Sequence, residues 1–276
     1  MPSSRRSIRL SCVFCALLAG ALALILSGDW LSVVRAQDVA VEEAPPQTST
    51  KLPAGHPGYS FRREHDLNGI GKFYLGREIA HVMGFAGVDW LERDNREQEE
   101  RLTLLVESLK LKPGMAVADI GAGSGVLTLM MASEVGQTGT VFAVDIQQEM
   151  LDRLSDKLNN LNVKNVKLVL GTAMSPELEP DTLDLAIMVD VYHEFEFPWE
   201  MLRKLSSAIK PGGRVAFVEY RKEDPRVPIK LVHKMTEKQV RREAERPEFG
   251  LTWKETIGVL PRQHIVVFER NVKQPQ

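Results

Sequence analysis

Two features of the chain could do chemistry: a glycine turn and a set of acidic and imidazole groups at the ends of apolar runs. Gly121, Gly123 and Gly125 follow the run Val117-Ala118-Asp119-Ile120, and Val126 to Ala132 then reads as a helix. A buried strand, a glycine turn and a helix N-terminus leave backbone N–H groups and the positive end of the helix dipole facing a ligand. Glycines there admit that ligand to the backbone, although glycines also serve packing. Val141 to Asp145 is a second apolar strand ending in a carboxylate, 24 residues beyond Gly121. An acidic side chain at about 20 residues past the turn is where ribose hydroxyls are gripped. Asp145 could equally cap the helix that begins near Gln147, and one carboxylate can fill both roles. The pattern predicts a nucleoside-containing ligand.

Further along, Leu183 to Val189 is a strand apolar enough to be covered on both faces, and it runs into Asp190-Val191-Tyr192-His193-Glu194. Ligands of open α/β sheets bind beyond the carboxyl ends of the strands, so these side chains are placed by topology. His193 has an ordinary pKa suited to proton removal near neutrality, which makes it the candidate base. Capping the next helix, or bonding a loop carbonyl, is the structural alternative. Glu219 and Tyr220 end a later strand, Arg214 to Glu219, where they either line a pocket or lead a solvated loop. The adjacent His193-Glu194 is too little for a metal site, so no metal is expected.

The elements that position these groups alternate strand and helix. Met150, Leu151, Leu154 and Leu158 recur at helical spacing, Val166 to Leu170 is a third strand, and Pro198 to Ile209 a helix ended by Lys210-Pro211-Gly212-Gly213. Thr236-Glu237-Lys238-Gln239 fits a capping box. Leu251 to Val259 and His264 to Phe268 are two strands with no helix between them.

The stretch Asp119-Ile120-Gly121-Ala122-Gly123-Ser124-Gly125 resembles motif I of the class I S-adenosylmethionine-dependent methyltransferases. The Lys-Pro-Gly-Gly turn and the final strand pair extend that resemblance from about residue 100 to the C-terminus. It implies a doubly wound, seven-stranded, mostly parallel α/β sheet with a C-terminal antiparallel hairpin. It also implies methyl transfer from S-adenosylmethionine to a small-molecule acceptor. On the resemblance, Gly121, Ala122, Gly123 and Gly125 make room for the methionine and ribose portion, Asp119 orients its amino end, and Asp145 and Ile146 hold the ribose. Removing the Asp145 carboxylate is then expected to weaken cofactor binding and leave folding largely intact. Thr172 and Ala173 stand where an acidic residue often holds the adenine amino group, which leaves adenine to a hydroxyl or to backbone. Asp190 falls near both cofactor and methyl, and His193 at the acceptor, with Tyr192 and Glu194 beside it. The group includes quinone C-methyltransferases, but their motif IV differs and their substrate is not carried over. A nicotinamide-dependent oxidoreductase and a non-catalytic nucleoside-binding module are the alternatives.

Before the core, Tyr74, Arg77 and His81 are spaced by three and four residues, so a helix would set them on one face. In the family this region often closes over the substrate, making Tyr74 and His81 candidate substrate contacts; a surface helix packed by Ile79, Val82 and Met83 is the alternative. The charge run Glu92 to Arg101 and the leucines after it read as one amphipathic helix with a solvated polar face, to which no chemistry is assigned.

At the N-terminus, Arg5, Arg6 and Arg9 precede a charge-free run from Leu10 to Leu26, and Val34-Arg35-Ala36 resembles a cleavage site. Residues 1–36 read as a secretory signal peptide or an uncleaved membrane anchor, which sets the expected localisation as exported or anchored. Its loss would remove four arginines and one aspartate, taking the formal charge from −2 to −5. That acidic body offers no nucleic-acid surface, and membrane contact is expected only through the N-terminal segment. Both cysteines, Cys12 and Cys15, lie in the segment, so the body has no thiol for a disulfide or for arsenite chemistry. The domain reading is 1–36 signal or anchor, 37–60 disordered linker, 61–112 helical lid, and 113–276 the methyltransferase domain. Oligomeric state is left open.

Overall fold

The computed structural model describes residues 57–272. The expected signal or anchor segment and the linker up to residue 56 lie outside the described residues.

The first elements correct one expectation. Where a helix over 71–84 is expected, β1 (Tyr59–Phe61), β2 (Gly69–Tyr74) and β3 (Arg77–Ala80) form a small antiparallel sheet. Tyr74 pairs with Arg77 across a two-residue turn in which Leu75 and Gly76 both have positive φ, 48° and 88°. That backbone twist matches an antiparallel pair, so the turn decides for strands against the helical spacing. Tyr74 and His81 consequently share no face: Tyr74 is fully buried beside Tyr59, while His81 is exposed.

Three short helices come next, α1 (Val88–Leu91), α2 (Arg96–Glu100) and α3 (Leu102–Ser108). The single amphipathic helix expected here breaks at Arg101, which has φ 58°. The break lets α3 keep Leu102, Leu105 and Val106 in the core while α2 independently turns Arg96 and Glu100 inward. The segment 61–112 is therefore a strand hairpin with short helices, not a helical lid.

The body continues as β4 (Ala116–Ile120), α4 (Val126–Val135), β5 (Thr140–Asp145), α5 (Gln148–Asn160), β6 (Val166–Leu170) and β7 (Leu183–Val189). It ends with α6 (Pro198–Ala208), β8 (Ile209–Tyr220), α7 (Glu237–Ala244), β9 (Leu251–Ile257) and β10 (Gln263–Arg270). The strands lie in the order β6-β5-β4-β7-β8-β10-β9. β4 to β8 are mutually parallel and β10 runs antiparallel to both its neighbours, which is the expected seven-stranded sheet with its terminal hairpin.

Burial on both faces explains the composition of β7. Leu185 and Ile187 join the cluster with α3 and α4, whereas Ala186 and Met188 join the cluster with α6 and α7. Fully burying a side chain of leucine or isoleucine size is worth about 1.5–3 kcal/mol, so the two faces hold the sheet rigid under the site. Of the capping box expected at the start of α7 the N-cap half forms, with Thr236 Oγ1 accepting the Gln239 N–H at 3.0 Å, while the Gln239 amide donates to Glu243 Oε1 at 2.7 Å. Chain order diverges to opposite sides of the sheet at β4 and β7, and the crevice beyond their carboxyl ends is where such a sheet binds ligands.

Candidate active site

A cavity of about 580 Å³ opens at that crevice. Its wall gathers most of the expected residues: Gly121, Gly123, Asp145, Ile146, Thr172, Ala173, Asp190, His193 and Glu194. Asp119, Ala122, Gly125, Tyr192, Tyr74 and His81 are not among the lining residues.

The glycine turn and β5 are locked to each other. Gly121 and Ala122 donate their N–H groups to Val144 O at 2.8 and 3.0 Å. Gly123 N–H reaches Asp145 Oδ2 and Gln147 N–H reaches Asp145 Oδ1, both at 2.9 Å. Asp145 thus pins the turn and the start of α5 while lining the cavity, and burial raises its pKa above the ordinary aspartate value. Gly121 and Gly123 have φ of 74° and 53°, values that favour glycine, and a Cβ on them would lie 2.5 Å from Val191 Cγ2 and 2.6 Å from Leu91 Cδ1, so they make room for two side chains of the cavity wall. Gly125 does other work. A Cβ there would lie 2.2 Å from Leu154 Cδ1, so this glycine admits α5 rather than a ligand.

Asp119 is also turned away. Its Oδ2 accepts from Thr128 Oγ1 at 2.6 Å, joining the end of β4 to α4, and burial pushes its carboxyl up to about 6. Tyr192 belongs to the core, edge-on to Phe217 with its hydroxyl donating to Glu243 Oε2 at 2.8 Å. The short 3₁₀ turn at 192–194 is what rotates Tyr192 inward and leaves His193 and Glu194 on the wall.

Asp190 bridges these regions. It is the residue just past β7, held at φ 52°, and its Oδ2 accepts from Gln263 Nε2 at 2.9 Å. Its Oδ1 is buried without a hydrogen-bond partner among the described residues. Burial, reinforced by Glu100 and Glu219, raises the Asp190 carboxyl well above its ordinary pKa. A buried oxygen in that condition calls for a donor.

At the other end of the wall, His193 Nδ1 lies 2.6 Å from Glu219 Oε2, and His193 N–H donates to Glu219 Oε1 at 3.3 Å. Neither Glu219 nor Tyr220 leads a solvated loop: Glu219 is fully buried and Tyr220 lines the cavity. Burial moves both partners toward neutrality, taking His193 down to about 4 and Glu219 up to about 8. Glu194 is likewise raised by burial, to about 7. His193 Nε2 faces His233 Nδ1 at 3.1 Å. The whole turn is anchored from the N-terminal hairpin, because Arg77 Nη1 donates to His193 O at 3.0 Å and its other nitrogens grip Glu243 at 2.8 and 2.9 Å.

Several wall residues escape sequence reasoning. Arg96 and Glu100 sit inside a charge run that looks solvated, yet Glu100 is 1% exposed. Arg96 Nε donates to Glu100 Oε2 at 2.9 Å and Tyr220 Oη to Glu100 Oε1 at 2.8 Å. Burial opposes the Glu100 charge, but Arg96, Arg93 and the Tyr220 hydroxyl together outweigh it and hold the carboxyl below its ordinary pKa. The opposite charges at i and i+4 were the available signal. His233, from the turn Leu231–His233, gave none: nothing in the sequence separates it from a surface histidine.

Comparison with known proteins fits this geometry. The family described as a methyltransferase domain matches residues 111–259, more than half of the chain. The chain belongs to that family. Demethylmenaquinone methyltransferase of Bacillus mycoides (strain KBAB4) is 29% identical over 111 residues, which are 40% of this chain and 47% of the relative. The same enzyme of Bacillus cereus (strain AH187) gives the same figures, so the chain spans about half the length of the curated relatives it matches. An S-adenosylmethionine-dependent methyltransferase from Aquifex aeolicus superposes with TM-score 0.64 at 24% identity, over 68% of this chain and 100% of that one. The [4+2]-cyclase SpnF superposes with TM-score 0.54 at 16% identity, over 62% of this chain and 81% of its own. These two show the fold, and the cyclase is a reminder that function lives in the site and not in the fold. The resemblance to class I methyltransferases first seen in the glycine turn is borne out in family and in architecture.

Proposed function

We propose that the chain transfers a methyl group from S-adenosylmethionine to a small-molecule acceptor. The observation that carries this reading is the joint made by Gly123, Asp145 and Gln147: a bare backbone turn and a carboxylate fixed to it, on the wall of a cavity in a methyltransferase-family chain. The cavity volume lies within the range of about 300–1,000 Å³ usual for small-molecule sites.

The donor set fits the cofactor part by part. Asp145 retains lone pairs beyond its two backbone bonds and would accept from the ribose hydroxyls. Thr172 and Ala173 would flank the adenine, with Ile146 and Met150 as apolar surface. Asp190 lines the cavity where Asp119 does not, and its carboxylate would face the ammonium of the methionyl portion, the role that sequence alone gave to Asp119. Arg96 supplies the positive charge that the methionyl carboxylate needs.

The cofactor, when bound, supplies a methyl on a positively charged sulfur. The residues of the cavity wall would hold an acceptor lone pair in line with that methyl. The protein contributes mainly by alignment in a partly dry cavity, and such positioning is worth up to about 7–11 kcal/mol of a barrier. Val82, Met83, Trp90, Leu91 and Ile229 give the wall an apolar part for the acceptor, while His193, Glu194 and His233 give it a polar end. The Nδ1 contact to Glu219 orients the His193 ring, which presents Nε2 toward the acceptor end.

Calorimetry of the full chain with S-adenosylmethionine, S-adenosylhomocysteine and NAD tests the cofactor. Binding of the first two without the third is expected, and binding of NAD alone would overturn the reading. A radiolabelled-methyl screen against fractionated small molecules then finds the acceptor.

A further inference from the structure

His193 and Glu194 are neighbours in the chain, and the fold adds His233 from forty residues away. His193 Nε2 and His233 Nδ1 are 3.1 Å apart, and Glu194 Oε1 lies 3.9 Å from the first and 3.8 Å from the second. The point equidistant from three atoms so separated is about 2.1 Å from each, which is the length of a zinc bond to imidazole nitrogen or carboxylate oxygen.

The cluster is also built as a ligand set. Glu219 Oε2 takes the Nδ1 side of His193 at 2.6 Å, which leaves Nε2 as the nitrogen that faces His233 and Glu194. A carboxylate behind a ligating histidine fixes its tautomer and raises its basicity. Glu194 is oriented in the same way: its Oε2 accepts the Met83 N–H at 3.2 Å, and Oε1 is the oxygen turned to the two histidines.

A purely hydrogen-bonded cluster accounts for the geometry less well. One proton shared between the two rings satisfies the 3.1 Å contact. Glu194 Oε1, however, stands at 3.8 and 3.9 Å, too far to bond either nitrogen. An oxygen held off two nitrogens by that margin leaves room for an ion.

We propose that His193, Glu194 and His233 bind one divalent first-row transition cation, with zinc the best fit to two imidazoles and a carboxylate. Three protein ligands leave a coordination position open, as in catalytic and not structural sites. All three residues line the cavity, so the open position accepts an oxygen from water or from the methyl acceptor. That last role rests on the methyl-transfer reading; the cation site itself does not. In the loaded protein the His193 lone pair belongs to the ion, and the acceptors favoured are those with a hydroxyl or enolate oxygen.

The test uses the untagged full chain, stripped with a chelator and titrated with Zn²⁺ against a chromophoric competitor, with Co²⁺ absorption as the spectroscopic probe. One ion per chain is expected, with His233→Ala weakening binding at least 100-fold. Glu219→Gln, which touches no ion, should weaken it about 10–100-fold. Circular dichroism and S-adenosylmethionine calorimetry on the same samples show that each variant folds; His233 is part-exposed and the safest to replace. No saturable Zn²⁺ binding, or binding unchanged in both His233→Ala and Glu194→Gln, overturns the proposal. Zinc without cofactor binding would refute the methyl-transfer reading alone, and cofactor without zinc would refute the cation site alone.

Discussion

Replacing Asp145 by alanine separates the two roles of its carboxylate. In the structure the group accepts one N–H from Gly123 and one from Gln147, each at 2.9 Å, and it lines the cavity where a ribose would lie. Alanine strands the buried Gly123 N–H, at a cost of about 1–3 kcal/mol; the Gln147 N–H is part-exposed and can turn to water. Removing a carboxylate that burial already disfavours offsets some of this. Stability should therefore fall by about 1–2 kcal/mol, or roughly 2–8 °C in Tm for a domain of this size. This revises the expectation that folding is left largely intact. Two hydroxyl bonds to a charged acceptor are worth about 3 kcal/mol or more together, so S-adenosylmethionine affinity should drop about 100-fold or further. Asp145→Asn keeps one acceptor oxygen and should fall between. Titration calorimetry and thermal melts on both variants read the two effects independently. A lowered Tm with affinity held within threefold would mean that the carboxylate only pins the turn, and the ribose assignment would be wrong.

Arg77→Met should destabilise the protein by about 3–5 kcal/mol in urea denaturation, because it leaves the fully buried Glu243 without its bidentate partner. Adding Glu243→Gln should recover part of the loss, and equal stability of single and double variants would refute the pairing. Gly125→Ala meets both a φ of 80° and the buried Leu154, so a loss of about 2–4 kcal/mol is expected. Unchanged stability with weaker cofactor binding would return that glycine to the ligand. Glu92 is held down to about 2, first by Arg153 and then by Lys157, which fix the end of α1 to α5. A lowered folded pKa stabilises above the ordinary carboxylate value and the gain is lost as pH falls from about 4.5 toward 2. Glu92→Gln should accordingly cost at most about 1 kcal/mol at pH 7 in melts, given its solvent contact, and nothing near pH 2. A cost that persists in acid would mean the ion pair is not its source.

The sheet was legible because its strands are long, apolar and closed by residues that break them. Asp119, Asp145 and Asp190 each sit at a strand end because a carboxylate there reaches the crevice or a helix start, and both are read from chain order alone. Tyr74, Arg77 and His81 misled because a spacing of three and four also arises across a hairpin, where the decisive fact is a positive φ at Leu75, a residue that rarely adopts one. Arg96 and Glu100 were hidden for a different reason. A charged residue is ordinarily a mark of solvent, and only a partner from another element, here Tyr220, shows that the pair is buried. His233 illustrates the limit itself: a ligand set assembled over forty residues has no local signature.

The buried Arg77 changes how the segment before the core should be regarded. Its guanidinium bonds Glu243 on α7 and the carbonyl of His193, so β3 is tied into the body at the residue that carries the candidate chemistry. A lid must be free to leave, and an ion pair of this kind, broken, leaves two buried charges behind. The hairpin is therefore a fixed wall that holds the His193 turn in place. A closing surface can come from the chain just beyond β3, where Val82 and Trp90 line the cavity and are 46% and 47% exposed. Met83 joins that stretch to the polar end through its N–H bond to Glu194. Movement there would reach Glu194 directly while leaving His193 held by Glu219 and Arg77, so the two neighbouring residues answer to different parts of the fold.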